Sequence, residues 1–375
     1  MSSLFISMNN LLVGQLNKLD NGALTFSYHD TWLASPYARS LSLSLPLSRK
    51  TYSGDVLYNF LDNLLPDNNQ IRVKMQKRFR TGTMTPFDLL SAVGRDCIGA
   101  IQLTSESETT SPTLKYKVLG DKDVIDIING YQTNPLGMMT DEDDFRISLA
   151  GAQEKTALLW HDEHWCLPLG STPTSHIIKL PIGVLSHNNL DLSLSCENEW
   201  LSLEIAAAFG LPVANSELWR FEDKTVLAVE RFDRKWTSDG RLLRLPQEDM
   251  CQALGIAPAL KYEADGGPSI KDIMHLLQGS QNAIQDRANF FKTQILFWLL
   301  AAPDGHGKNF GLFIEAGNAY RMTPLYDILS AYPFMTANGG LRKQKLKMAM
   351  ALDSKQRHYQ WEKILPRHFI STAKK

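Results

Sequence analysis

Apolar and polar positions interleave from the first residues of the chain. The stretches Leu4–Met8, Leu11–Leu16 and Ala23–Tyr28 are separated by Asn9-Asn10 and by Asp20-Asn21-Gly22, so each reads as a strand closed by turn residues. Ser40–Leu47, SLSLSLPL, alternates at every second position and predicts a half-buried strand. The apolar spacing then becomes helical in DVLYNFLDNLLPD and PFDLLSAVGRD. Together these predict a small α+β unit over residues 1–110, followed by the exposed polar run TSESETTSPT.

A second β-rich unit is predicted over 111–245. TALLW and WCLPL flank the polar turn HDEH, SHIIKLP is a third strand, and SELWRF with TVLAVERF makes a hairpin. Between them CENEWLSLEIAAAF reads as a helix, closed by Gly210 with Pro212 just beyond. From 246 to 375 the pattern turns helical in QEDMCQAL, IKDIMHLLQG and the long run ending at Ala302.

Composition narrows the class. Lys and Arg number 39 against 40 Asp and Glu, which gives no global signature of a nucleic-acid or membrane protein. Cys97, Cys166, Cys196 and Cys251 lie far apart without metal-ligand spacing, which favours reduced thiols. The N-terminus has no basic segment before an apolar core, and no apolar run is long enough to span a bilayer. A soluble, cytoplasmic protein is expected.

The candidate chemistry gathers in AAPDGHGKNF, residues 301–310. Asp304 and Asn309 stand five residues apart. In kinase-type phosphoryl transfer, an Asp at this position orients the attacking hydroxyl and the Asn oxygen holds a metal ion. The spacing alone equally fits a helix stop and a glycine turn. A second carboxylate, Asp327, follows a predicted hairpin, which would bring it back beside Asn309. Upstream, Lys179 lies in an apolar strand, where a lysine either snorkels to the surface or pairs inward, and the next helix offers Glu197, Glu199 and Glu204; Glu199 is the choice for an inward partner, although a surface position fits its spacing equally. Gly151–Thr156 resembles a Walker A loop but lacks the glycine before Lys155 and precedes a strand, so it is not a P-loop of that kind. Leu227–Arg234 could link two lobes or simply end a charged strand. The order of these parts matches a two-lobed phosphotransferase, although Ala302-Pro303 rather than His-Arg precedes Asp304, and Ile328 follows Asp327.

Taken with FLDNLLPD, PFDLLSAVGRD, DFRISLAGAQEKTALL, SHIIKLP, LAVERFDR, RLPQEDMCQ, KYEADGGP, DGHGKNF, TPLYDI and LPRHFISTAK, the chain resembles HipA-type serine/threonine kinase toxins along nearly its whole length. The resemblance implies an α+β, two-lobed protein-kinase-like fold and an ATP- and Mg2+-dependent serine/threonine protein kinase. Asp304 would be the catalytic base, with Asn309 and Asp327 as Mg2+ ligands. The ATP site would comprise Leu149, Ala150, Gly151, Ala152, Gln153, Glu154 and Lys155 on the phosphate side and Lys179 on phosphate. Glu230, Arg231 and Phe232 would hold adenine, and His306, Gly307, Lys308, Asn309, Tyr326 and Asp327 would complete the site. Ser148 would be autophosphorylated, shutting the enzyme down. The implied target is an aminoacyl-tRNA synthetase, typically the glutamyl enzyme, with growth arrest, persistence and drug tolerance as outcome. The implied partners are a helix-turn-helix antitoxin and, through it, operator DNA.

The family continues into further C-terminal helices, which are expected to be missing here. The tail from Leu341 carries ten Lys and Arg against two acids and reads as a solvated helical surface, in which Lys374 matches a position near operator DNA. Two other functions remain: a small-molecule phosphotransferase on the same scaffold, or a catalytically weak antitoxin-binding co-repressor.

Overall fold

The computed structural model describes residues 2–105, 113–133, 155–185, 190–335 and 340–375. Asn9 and Asn10 take φ of 47° and 69°, a left-handed conformation that Asn tolerates better than most residues. They turn Ser2–Met8 back onto Leu11–Lys18. With Leu24–Tyr28, Thr51–Ser53 and Ile101–Thr104 these make a five-stranded antiparallel sheet. Alternation buries Leu4, Ile6, Leu16 and Phe26 in one core with Leu57, Phe60 and Leu61 of the helix Asp55–Asp62 and Leu89, Leu90 and Val93 of the helix Pro86–Val93.

Ser40–Leu47 is not the strand its alternation predicts. Its serines satisfy the backbone locally: Leu47 N donates to Ser40 Oγ at 3.2 Å and Ser44 N to Ser42 Oγ at 3.0 Å. Such side-chain bonds compete with a ladder. The Ser42 and Ser44 hydroxyls also donate to the Gln252 carbonyl, at 3.2 and 2.7 Å, so the segment is a strut to the C-terminal part.

The second sheet has six antiparallel strands, in the order Ser216–Phe221, Lys224–Glu230, His176–Lys179, Lys155–His161, His164–Pro168 and Tyr116–Val118. HDEH is the exposed turn expected, with Asp162 and Glu163 at φ of 48° and 62°. The helix Ser195–Ala208 packs on the outer hairpin, and Gly210 at φ 73° lets the chain leave it. Ala157, Leu158, Ile178 and Val226 join the same buried core as the first sheet.

The C-terminal lobe is built on the helix Ala283–Leu299 and a three-stranded sheet of Gln247–Asp249, Gly311–Ile314 and Tyr320–Met322. QEDMCQAL, expected to be helical, starts as a strand; an Asp249–Gln252 capping box then opens the single turn Met250–Ala253. The basic tail also departs from a helical surface. Met348–Leu352 is a buried strand, paired with Arg357–Gln360, and the helix is only Pro366–Ala373. The apolar run MAMAL decides this, and the lysines flank it. Among the described residues no helix is long and apolar enough to cross a membrane.

Charged groups lock these parts together. Asp96, from the N-terminal unit, accepts from Arg234 Nη2 and Arg244 Nε at 2.9 Å each and pairs with Arg231 Nη1 at 3.3 Å. Asp233 binds Arg231 Nη2 at 2.8 Å. All five are buried. Glu248 is a contrast: fully buried, it accepts from Leu43 N at 2.8 Å, while its Oε2 has no partner among the described residues.

Burial pushes the Glu248 acid from 4.5 up to about 8. The folded state therefore holds a proton that the unfolded chain has released between these values. This contribution is full below pH 4.5 and declines by up to about 1.4 kcal/mol per pH unit until the folded group ionises near 8. Denaturant melts of wild type and Glu248→Gln from pH 5 to 9 should show the variant gaining on wild type as pH rises. A constant difference would mean that Glu248 does not titrate in this range.

Candidate active site

The helix Ala283–Leu299 ends in a turn in which Ala301 takes φ of 49°. The next six residues fold back on themselves. His306 N donates to Asp304 O at 2.9 Å, Asn309 N to His306 O at 3.0 Å, and Asn309 Nδ2 to Asp304 O at 2.6 Å. The glycines are demanded by close approach. A Cβ on Gly305 would sit 2.2 Å from the Phe297 ring, and one on Gly307 would sit 2.8 Å from Pro268 Cγ and 2.9 Å from Cys251 Sγ. The Asp304 carboxylate is half-exposed and accepts a short bond from the Tyr262 hydroxyl. Burial, with Asp304 adding to it, pushes the Tyr262 phenol well up, so it stays a donor. His306 lies 3.8 Å from Asp304 and is buried, which lowers its pKa and favours neutral imidazole.

The hairpin of Gly311–Ile314 and Tyr320–Met322 returns the chain to the same edge. There Leu325 N donates to Pro212 O and Ala214 N to Leu325 O, at 2.8 Å each. Asp327 follows at φ 60°, a left-handed value that aspartate accommodates. Lys179 Nζ donates to its Oδ1 at 2.8 Å and to Glu199 Oε1 at 2.6 Å. Of the three candidate glutamates, Glu199 is thus the one the fold brings to Lys179; Glu204 is exposed. Burial works against the Asp327 anion, but Lys179 and Lys155 outweigh it and hold the carboxyl below its ordinary range. Burial likewise opposes the Lys179 cation, and Asp327 and Glu199 reverse this and raise it.

Lys155 is the cross-strand neighbour of Lys179. Glu230, Phe232, Tyr326 and Asn309 line one cleft with Asp304, Asp327 and both lysines; its volume is about 520 Å³, within the range of small-ligand sites. Two residues of the expected set face elsewhere with their charge. The Arg231 guanidinium is turned into the Asp96–Asp233 cluster, so at that position the linker offers backbone rather than charge. The Lys308 amine donates to Asn63 Oδ1 at 2.8 Å and pairs with Asp249 at 3.3 Å and Asp67 at 3.5 Å, so it ties the loop to the N-terminal unit. Lys374 is exposed at the end of the last helix and is not part of the cleft. Ser148 and Leu149–Glu154 lie outside the described residues.

The donor set suits a hard divalent cation. Asn309 uses its amide nitrogen on Asp304, leaving the carbonyl oxygen, and Asp327 uses Oδ1 on Lys179, leaving Oδ2. Among the described residues no group of three or more His, Cys, Asp or Glu could hold a metal ion. Mg2+ commonly takes one or two protein oxygens and completes its shell with phosphates and water.

Tyr262, Asp67, Asp249 and Asp96 were not foreseen. KYEADGGP, FLDNLLPD, RLPQEDMCQ and PFDLLSAVGRD contain one each, but only long-range packing reveals their partners.

Sequence and structure comparisons identify the family and the fold. Residues 4–104 match the HipA N-terminal domain and residues 147–375 the HipA-like C-terminal domain. The kinase-named protein Y4mE of Sinorhizobium fredii is 32% identical over 351 residues, covering 92% of this chain and 81% of that protein. The serine/threonine-protein kinase toxin HipA of Shewanella oneidensis is 28% identical over 342 residues, covering 88% and 75%. The fold matches HipA of Shewanella oneidensis MR-1, solved with HipB and operator DNA, at a TM-score of 0.78 and 24% identity over 97% of this chain and 82% of that one. With both family domains present in order across the mixed α and β architecture, the chain belongs to the HipA family.

Proposed function

We propose that this protein is an ATP-dependent serine/threonine protein kinase acting as the toxin of a cytoplasmic toxin–antitoxin pair. The observation that carries the reading is the Lys179–Glu199–Asp327 ion cluster set in one cleft with Asp304 and Asn309. Lys179 holds the nucleotide phosphates, with Glu199 fixing its direction. The linker 230–232 receives adenine through its backbone, and Phe232 and Tyr326, with ring centroids 5.7 Å apart, form an apolar wall beside it. Asp304 accepts the proton of the substrate serine as the serine oxygen attacks the γ-phosphorus, the bond from that phosphorus to the β–γ bridging oxygen breaks, and ADP leaves with the electron pair. Mg2+, held by Asn309 and Asp327, would neutralise charge on the phosphates.

The proposed protein substrate is an aminoacyl-tRNA synthetase, the glutamyl enzyme first. Growth arrest and persistence would follow from its loss. The proposed partners are a HipB-like antitoxin and operator DNA bound with it; exposed Lys374 is a candidate contact. The proposed brake is phosphate on Ser148. Incubation with ATP and Mg2+, followed by intact-mass and peptide analysis, should give one phosphate on Ser148 that disappears in Ser148→Ala. Absence of phosphate on the chain and on glutamyl-tRNA synthetase, with ATP bound, would move the function to antitoxin binding alone.

A further inference from the structure

Two lysines share the phosphate end of the cleft, and only one is neutralised. Lys155 and Lys179 face each other across adjacent antiparallel strands, and both line the cleft. The Lys179 amine is held by two carboxylates at 2.6 and 2.8 Å. Among the described residues the Lys155 amine has neither an ion pair nor a hydrogen bond. Its side chain is partly accessible, from the cleft. Such an amine has room to react, and its charge, unlike that of Lys179, is not taken up by a paired carboxylate.

We propose that Lys155 is a modification site, acylated in the cleft by acyl phosphates, and that this acylation blocks nucleotide binding. An acyl phosphate is a mixed anhydride whose phosphate group belongs to the same class as the proposed nucleotide ligand, so the inference rests on the nucleotide reading of this cleft. The Lys155 nitrogen attacks the acyl carbon. The C–N bond forms, the C–O bond to phosphate breaks, and inorganic phosphate leaves with the electron pair. The proton lost by nitrogen ends on phosphate or solvent. No electron transfer is involved.

The amine must be unprotonated to attack. Burial lowers Lys155 from 10.5 to about 8, so close to a tenth of it is neutral at pH 7. An ordinary lysine is neutral there in less than about a thousandth of molecules. The gain in reactive fraction is roughly 300-fold, partly offset by the weaker nucleophilicity of a less basic nitrogen. The product is a neutral amide that has lost a cation where phosphate charge must sit, and its acyl group occupies phosphate space.

The test uses the full chain and acetyl phosphate at pH 7. Acetylation is followed site by site by peptide mass spectrometry, with and without ATP and Mg2+, and ATP binding is measured separately by calorimetry. Lys271 and Lys355, both exposed, are internal references. Lys155 should be acetylated at least about tenfold faster than either, ATP should slow it, and the acetylated protein should bind ATP at least about tenfold more weakly. Lys155→Arg should melt like wild type and lose the fast site. A Lys155 rate no higher than the references, in protein that binds ATP, overturns the proposal and leaves the kinase reading standing. Fast acetylation without ATP protection, in protein that does not bind ATP, keeps the modification site and removes the nucleotide reading. Fast acetylation that leaves ATP affinity unchanged overturns the blocking role.

Discussion

Asp304→Asn should lower phosphoryl transfer by about 10²- to 10⁴-fold while leaving ATP binding nearly unchanged. Asparagine has almost the same shape, and its Oδ1 can still accept from Tyr262. It has no basic oxygen to take the serine proton. The side chain is half-exposed and no lysine or arginine pairs with it among the described residues, so its replacement leaves no buried cation without a partner. The loss should therefore fall on kcat and leave the melting temperature in place. Tyr262→Phe separates two roles of the same carboxylate. It removes the hydroxyl that holds Oδ1 but not the base, and should cost about tenfold in kcat with unchanged KM for ATP. Steady-state kinetics with a protein serine substrate, together with thermal melts, check both. An Asp304→Asn enzyme that turns over at the wild-type rate would remove Asp304 from proton transfer.

Lys179→Met should damage both function and stability. The methionine fills much of the same volume but leaves Glu199, 1% exposed, and Asp327 as neighbouring carboxylates without their shared cation. Breaking a buried pair in this way costs about 3–5 kcal/mol. Transfer should fall by about 10³-fold, because phosphate binding and the placement of Asp327 fail together. The pH dependence identifies the cause. In wild type Asp327 titrates below its ordinary value of 3.8, so its contribution is full above that pH and is lost as pH falls below it. In the variant Asp327 loses the larger of the two cations that hold it down, and Glu199, already raised by burial, loses its paired cation and rises further, so the variant loses stability as pH rises through the Glu199 titration. The gap between the two proteins should therefore narrow toward pH 4 in denaturant titrations. A gap that does not change with pH would point to packing rather than unpaired charge.

Residues whose partners lie close in sequence, or whose pattern has one period, were legible beforehand. The turns at Asn9-Asn10 and HDEH, the hairpin before Glu230, the helix closed by Gly210 and the hairpin between Asn309 and Asp327 all follow from local pattern. Lys179 ends a predicted strand, Glu199 lies in the early turns of a predicted helix, and Asp327 follows the predicted hairpin, and these three elements bring them together. Where side chains compete with the backbone, the pattern misleads. In Ser40–Leu47 hydroxyls replace a strand ladder, and in Met348–Leu352 a short apolar run outweighs the surrounding charge. Partners distant in sequence were invisible. Lys308 reads as a nucleotide ligand from its motif, yet its amine reaches Asn63, some 245 positions away. Arg231 reads as part of the linker, yet its guanidinium belongs to a knot with Asp96.

That knot, with the Lys308 tether, makes the N-terminal unit an indivisible part of any transplant. An exchange of N-terminal units between relatives would carry with it one wall of the cleft and one of the two carboxylates that hold the linker arginines. Chimeras joined near residue 110 should therefore fold and work only when Asn63, Asp67 and Asp96 travel as a set with matching Arg231, Arg234, Arg244 and Lys308. The boundary between the two units is therefore a poor place to cut this chain, because each unit keeps charges that only the other can neutralise.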